Sequence, residues 1–457
     1  MQPLSPSFLL AFAATLTGLA LIAWRPRLRS AADFTLAGRA AGPWHVAGAI
    51  MGTLVGGAST IGTAQLAFSF GLSAWWFTLG SGLACLLLGL FLAGPLREGE
   101  VTTIPEFIAR YYGDRARVAA SLFSAVGMFI HIVAQLLAAG ALLSALFGWS
   151  TAAAALAAAG LVALITLGGG MRGAGPLGLA KLILLYGVML LAGSRALGLS
   201  GGWSALTGAF PAFPWFSLFG YGVGAGLNDL LSMLVGVVST QTYLQAIFAA
   251  RDRRAARQGA LLSALLIPPL GLCGIAVGLA MRLSRPELDS VQALPAFLTQ
   301  HFPPALAGIA FAALLIAAIV TASGLTLGAG TTLQLDVLAR FGRGGTELKR
   351  LRLVSLGVLL SALALLLFNL GSTILQWSFL SMGLRGATLC LPLLAAVYLR
   401  GRSPARAGAL AIFLAPVATV AAGLAGWPPI PPLYPGLGLA LLLLLAGLWL
   451  ERPGGGK

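Results

Sequence analysis

GGASTIGTAQ, residues 56 to 65, sits inside an otherwise apolar run from 43 to 69. A run of that length reads as a helix crossing a bilayer, because a hydrocarbon core of ~30 Å takes about 20 helical residues. Glycines, three hydroxyls and a glutamine are out of place there. Backbone groups at membrane depth must be bonded internally, so a loosened, glycine-rich stretch is tolerated only where it lines a protein cavity. If the helix opens between Gly56 and Thr63, its carbonyls become available as ligands. A small-residue face for close helix packing would have the same composition, so the surrounding sequence has to decide.

The chain has 457 residues, 58% hydrophobic and 9% charged, with a mean hydropathy of +0.94. This excludes an ordinary soluble domain. The alternating ten-residue segments of a β-barrel are missing, so the fold class is all-α and integral to a membrane. Apolar runs bounded by charge, glycine or proline give thirteen helices: α1 (7–24), α2 (43–69), α3 (71–94), α4 (118–147), α5 (150–168), α6 (175–196), α7 (215–248), α8 (258–281), α9 (303–336), α10 (351–369), α11 (372–399), α12 (405–425) and α13 (433–450). Residues 102 to 118, with Pro105 early and charges interleaved with aromatics, read as a short amphipathic helix at the membrane surface.

The net charge of +16 is scattered in short clusters between apolar runs, which argues for topology signals and against a nucleic-acid surface. With the N-terminus outside, 23 of the 28 basic residues fall on the inner side, from Arg25, Arg27, Arg29 and Arg39 through Arg172, Arg340, Arg343 and Arg400 to Arg452 and Lys457. Only Arg195, Arg282 and Arg285 fall outside, as the positive-inside rule requires. An even number of helices would scramble this alternation. The expectation is a multi-pass protein of the cell's inner membrane with its C-terminus cytoplasmic. The first apolar stretch has its arginines after it and no basic segment before it, so it reads as a retained span. Cys85, Cys273 and Cys390 lie in different runs and read as free, buried thiols.

Two more spans carry polar interruptions. AAIVTASGLTLGAGTT (317–332) lies in α9, and GVGAGLNDLLSMLVGVVSTQTYLQ (222–245) lies in α7. Discontinuous helices in corresponding positions of two halves point to a transporter site near the midplane. Helices α2 and α7 each begin a set of five spans, 43–196 and 215–399. Five is odd, so the two sets have opposite orientation, the arithmetic of an inverted repeat. The chain then reads as one transporter domain over 1–457, with α1 (7–24) and α12 and α13 (405–450) at its periphery.

At these residues the chain resembles the sodium:solute symporter family, whose members have a leucine-transporter-type core of two inverted five-helix repeats. The likeness covers nearly the whole chain: DFTLAGR (33–39), ASTIG in α2, FGLSAWW (70–76), TIPEFIARYYG (103–113), AIFAARD (246–252), and AAIVTAS in α9 followed by Asp336. It implies a sodium ion held by backbone carbonyls of the broken helix, here Ala58 and Ile61, and by a carbonyl and hydroxyls of α9, here Ala318 and Thr321. The family's second hydroxyl position falls on Ala322, with Ser323 one residue later. The sugar-transporting branch has an aromatic gate where this chain has Gly236 and an acidic contact where it has Thr78, although Gln65 matches a polar contact of that branch. The proline-transporting branch has an aspartate at the position of Thr60. Candidate solute contacts are Ser59, Thr60, Thr63, Gln65, Met233, Gln241 and Arg385.

Charges within the spans bear on the mechanism, because intramembrane ionisable groups are costly and usually functional. Arg385, about midway along α11, could hold a solute carboxylate bidentately, pair with Asp229, or line water. Lys181 in α6 stands where the family often carries an aspartate. It either snorkels to the inner interface, about six residues or ~9 Å away, or occupies the ion site itself and makes the carrier proton-coupled or uncoupled. His131, with Gln135 one turn on, could join a proton path or simply bond between helices. No cofactor is expected beyond sodium or a proton, and the partners expected are a small solute, sodium and lipid, with neither nucleic acid nor an obligate protein partner. A membrane enzyme would need a nucleophile, paired carboxylates or a metal cluster, and a channel would need polar positions repeated along several helices.

Overall fold

The computed structural model of the chain describes residues 5–24, 39–101, 103–168, 174–338, 347–369, 371–399, 402, 404–425 and 430–450. Residues 33–38 of DFTLAGR lie outside the described residues, as do Arg25, Arg27, Arg29, Arg172, Arg340, Arg343, Arg400, Arg452 and Lys457. The described secondary structure is helical apart from one isolated bridge between Ala41 and Ala250. Helical segments fall on each of the thirteen expected ranges. Among the described residues nine helices are long and apolar enough to cross a membrane, ten if one bent pair counts as a span.

The interior is built on α4 (Ile104–Phe147), α9 (Pro304–Thr332, continuing as a π-helical turn Leu333–Val337) and α11 (Ile374–Tyr398). Their most apolar windows are 83%, 78% and 83% buried, against 28% for α10 and α13. A helix apolar all round belongs inside such a bundle or against lipid, and these values separate the two.

Two expected boundaries moved. Helix α4 starts at Ile104, capped by the Thr103 side chain, which accepts from Glu106 N–H at 3.1 Å, so the amphipathic segment and the span form one rod with a bend. The bend is at Gly113, whose φ of 82° and ψ of 174° suit glycine and hardly any other residue. Helix α7 starts at Val223 rather than 215, because Pro211 and Pro214 interrupt the preceding segment, which forms the short helices Trp203–Ala209 and Ala212–Trp215. That segment packs on the start of α3. Trp76 Nε1–H donates to Leu218 O at 2.6 Å, Ser73 Oγ donates to Ser217 O at 2.9 Å, and Gly220 N–H donates to Ser73 Oγ at 2.8 Å. Gly71, with φ of 60°, has no room for a Cβ beside the Trp215 carbonyl.

These two glycines give a paired prediction. Gly113→Ala meets open space and should cost only the backbone strain, about 1–3 kcal/mol. Gly71→Ala adds a collision with Trp215 and should cost more. Thermal unfolding of the purified variants in detergent checks the order, and equal losses would show that the segment 203–222 does not bear on α3.

Candidate functional site

The interruption in α2 is a true break. Helix Pro43–Leu54 ends, Val55 is extended (φ −88°, ψ 99°), and the chain resumes as a π-helical turn, Ala58–Gly62, before the second half, Thr63–Phe70. The break is bonded by its own hydroxyls. Ser59 Oγ accepts from Gly56 N–H at 3.0 Å, and Ser59 Oγ and Thr60 Oγ1 donate to Gly56 O at 3.0 and 2.9 Å. Thr63 Oγ1 donates to Ala58 O at 3.3 Å, and Gly57 N–H reaches across to Gln135 Oε1 of α4 at 2.9 Å. Ser59, Thr60 and Thr63, expected as solute contacts, are buried and bonded to the backbone of α2 itself.

Small residues let three helices meet here. A Cβ on Gly57 would collide with Ala138 Cβ of α4 and come within 3.4 Å of Ala318 Cβ of α9, while one on Gly56 would stand 2.9 Å from both Gln135 Oε1 and Thr321 Oγ1. The crossing of α2 with α9 therefore sets Gly56 against Thr321 and Gly57 against Ala318, and Ala58, Ile61, Ala318 and Thr321 are all buried. Ser323 is not part of it. Two residues along a helix turn about 200°, and the Ser323 hydroxyl instead faces Val162 O of α5 at 3.4 Å.

Lys181 does not snorkel. It is 0% exposed, and its Nζ donates to Gly52 O of α2 at 2.7 Å and to Thr321 Oγ1 of α9 at 2.9 Å. The ammonium thus ties the two helices together on the hydroxyl expected to ligate sodium. A second cation on the same hydroxyl would stand within about 5 Å of Nζ, where like charges repel by about 3 kcal/mol at an effective dielectric near 20.

Helix α7 is also broken, between Val223–Val237 and Gln241–Phe248, with a bend of 41°. Arg385 of α11 packs beside this break. Its Nε and Nη2 donate to Ser381 O at 3.2 Å and Ser381 Oγ at 2.7 Å, and Nη2 lies 3.4 Å from His131 Nδ1. The alternative pairing with Asp229 is not made. Asp229 is half-buried nearer the start of α7, where it accepts from Tyr221 Oη at 2.6 Å and Asn228 Nδ2 at 3.3 Å. The other candidates are dispersed: Met233 packs on Gly80 of α3, Gln241 Oε1 accepts from Ile104 N–H at 2.8 Å, and Gln65 Oε1 accepts from Ile374 N–H at 3.1 Å.

The two ends of the bundle differ. A cavity of 1320 Å³ opens at one end, among residues 144–149, 285–292 and 371–373, and reaches down to Gln65 and Leu137. The other end is laced shut. Arg117 donates to Asp336 Oδ1 from Nε at 2.9 Å and Nη2 at 2.7 Å, and Ser121 Oγ donates to Asp336 Oδ2 at 2.7 Å. Arg97 Nε donates to Ala250 O at 2.5 Å, and Arg39 Nη2 donates to Glu100 O at 2.8 Å. Gln135, Gly52 and Ser381 were not singled out as site residues from sequence. Only Gln135 left a trace there, as an amide one turn from His131. Among the described residues no group of three or more His, Cys, Asp or Glu could hold a metal ion.

Two broken helices, a buried polar crossing and a cavity open at one end define a multi-pass helical membrane transporter. A model of the sodium:solute symporter family matches residues 34–412, and the chain belongs to that family. A curated relative, the uncharacterized symporter YwcA of Bacillus subtilis (strain 168), is 30% identical over 138 residues, which span 30% of this chain and 27% of that protein. Among solved structures, a substrate-bound, outward-open Na+-coupled sialic acid symporter is similar with a TM-score of 0.78 at 17% identity, covering 98% of each chain. The nucleobase-cation-symport-1 family transporter Mhp1, closed with bromovinylhydantoin bound, gives 0.61 at 13% identity over 94% of this chain and 98% of that one. A manganese transporter of Eremococcus coleocola gives 0.52 at 15% identity over 93% and 96%. At these identities the likeness is one of fold.

The α2 break depends on one amide from another helix. Gln135→Leu should leave Gly57 N–H buried without an acceptor, costing about 1–3 kcal/mol and raising hydrogen exchange at residues 55 to 58. Unchanged exchange there would show that α4 does not hold the break.

Proposed function

We propose that this chain is a secondary active transporter that carries a small polar or carboxylate-bearing solute by alternating access, and that the Lys181 ammonium takes the place of sodium at the crossing of α2 and α9. The observation that carries the reading is the pair of bonds from Lys181 Nζ to Gly52 O and Thr321 Oγ1. A tethered cation already bridges the two helices, and a mobile one on Thr321 would be repelled. Coupling would then run through a proton on Lys181 or be absent. Sodium-driven symport is the second reading, supported by family membership and by the burial of the expected ligand positions Ala58, Ile61, Ala318 and Thr321.

The rest of the reading follows the family. One transporter domain would contain two inverted five-helix repeats, 43–196 and 215–399, with 7–24 and 405–450 peripheral. It would lie in the inner membrane with the N-terminus outside, so that the cavity at Gln65 opens outward and the Arg117–Asp336 end faces the cytoplasm. The breaks in α2 and α7, at corresponding points of the two sets, support this arrangement. Asp229 and His131 remain candidates on a proton path, and alternation would rock α2, α3, α7 and α8 against the other helices.

Uptake into proteoliposomes decides the ion. With a panel of amino acids, short carboxylates and ureides, wild-type uptake should not change when sodium is replaced by choline. It should either follow an imposed proton gradient and lose that dependence in Lys181→Ala, or respond to no ion gradient at all. Uptake that needs sodium in the wild type overturns the assignment and returns the chain to sodium symport.

A further inference from the structure

Two side-chain cations lie deep in the bundle, Lys181 at 0% and Arg385 at 1% exposure. None of the ion pairs among the described residues includes either. The two carboxylates deepest among the described residues, on α9 and α7, are engaged elsewhere, Asp336 with Arg117 and Ser121 and Asp229 with Tyr221 and Asn228. Glu98, Glu100, Asp252 and Glu287 are exposed at helix ends and loops. The interior thus holds positive charge that the described protein groups do not neutralise. A buried charge without a counter-charge is among the costliest arrangements a fold can keep.

Lys181 has two oxygen acceptors, whereas Arg385 is only half satisfied. Its Nε and Nη2 are taken up by Ser381 and by Met382 Sδ at 3.4 Å, Tyr243 is in hydrogen-bonding contact with the guanidinium, and Nη1 is buried with no well-aligned acceptor. His131 Nε2 is also buried with no partner. Arg385 Nη2 carries only donor hydrogens, so His131 Nδ1, 3.4 Å away, faces it as the acceptor and the ring proton sits on Nε2. Both orphaned groups are therefore donors. The arginine is held in place for them: Ser381 Oγ donates to Gly127 O at 2.6 Å, and a Cβ on Gly127 would collide with Arg385 Cγ. On the adjoining part of α7, Ser239 Oγ and Thr242 Oγ1 are buried without partners as well, and Tyr243 lies beside Arg385.

We propose that Arg385 Nη1 binds the carboxylate of an anionic solute beside the break in α7, with Ser381 and His131 as positioning residues that hold its other nitrogens. The assignment rests on the transporter reading and narrows its cargo to carboxylates. A guanidinium edge is a donor only, so it selects an acceptor that brings its own negative charge. A neutral amide would bring none. Lys181, at the neighbouring crossing, adds a second fixed positive charge that disfavours cationic cargo.

The test is thermal unfolding of the full chain in detergent with acetate, lactate, pyruvate and benzoate, with their amides, and with chloride, bromide or sulfate as the only anion. At least one carboxylate should raise the wild-type Tm while its amide does not, and Arg385→Met should abolish that shift. Without added anion, Arg385→Met should unfold no earlier than wild type, because it removes an uncompensated charge, whereas an arginine kept for packing would lower Tm when lost. If Arg385→Met does not accumulate, His131→Phe carries the test and should weaken carboxylate binding at least about tenfold. The proposal is overturned if no carboxylate shifts the wild type, if His131→Phe binds unchanged, or if chloride alone gives the full shift as a resident ion. Uptake of a neutral solute with no response to any carboxylate would retain the transporter and overturn this site.

Discussion

A peptide group inside a bilayer has no water to bond to, and the architecture around α2 is an answer to that constraint. Opening a helix at Val55 to Gly57 frees N–H and C=O groups where each orphan is costly. The chain settles them with side chains: Ser59 and Thr60 return to Gly56, Thr63 to Ala58, and Gln135 reaches Gly57 from α4. Only glycine at 56 and 57 lets α4 and α9 come close enough for this. The break is therefore a shared property of three helices, and none of them could hold it alone.

The same closeness decides what the crossing can bind. Lys181 comes in from α6 and spends its donors on Gly52 and Thr321, so the site holds a charge that cannot diffuse away. A mobile ion contributes its binding energy and leaves, whereas a tethered one can alter the site only by changing its protonation or its position. Arg385 is tethered along the same face of α4 as the Gln135 contact, one turn away by way of His131. These two fixed charges set the field in the interior between them.

Hydropathy and charge spacing made the spans legible, since twenty apolar residues and a basic inner loop are properties of sequence alone. The α2 interruption was legible for the same reason. The bonding of its hydroxyls was not: a sequence does not say whether Ser59, Thr60 and Thr63 turn toward their own backbone. Lys181 stayed open between the interface and the ion site for a related reason. Its distance along α6 from the inner end suited snorkelling, but α6 is apolar on all sides, so nothing in the pattern showed that residue 181 points at α9. Arg385 and Asp229 seemed natural partners as deep opposite charges, yet Asp229 sits near the start of α7 with Tyr221 as its donor. Gly113 and the prolines at 211 and 214 were visible, but their consequence, a bend in one case and a separate packed segment in the other, depends on what lies next to them.

Helices α4 and α9 link the closed end to the crossing. Helix α9 carries Thr321 at the crossing and Asp336 at the closed end, 15 residues or ~22 Å apart. Helix α4 carries Arg117 and Ser121 against Asp336, then His131 beside Arg385, then Gln135 against the α2 break. The Asp336 pairing fixes these two helices to each other, so they move as one body. Helices α2 and α7 are the pieces with breaks and can bend at Val55–Gly57 and Val238–Thr240. The Arg97–Ala250 and Ala41–Ala250 contacts tie the ends of α2, α3 and α7 to one another, so these ends would leave the rigid pair together. The motion that unseals that end must therefore pull on Gly52 and Gly57, the two points where Lys181 and Gln135 hold α2 to the rigid pair. This geometry makes the occupancy of the crossing and the state of the seal parts of one equilibrium.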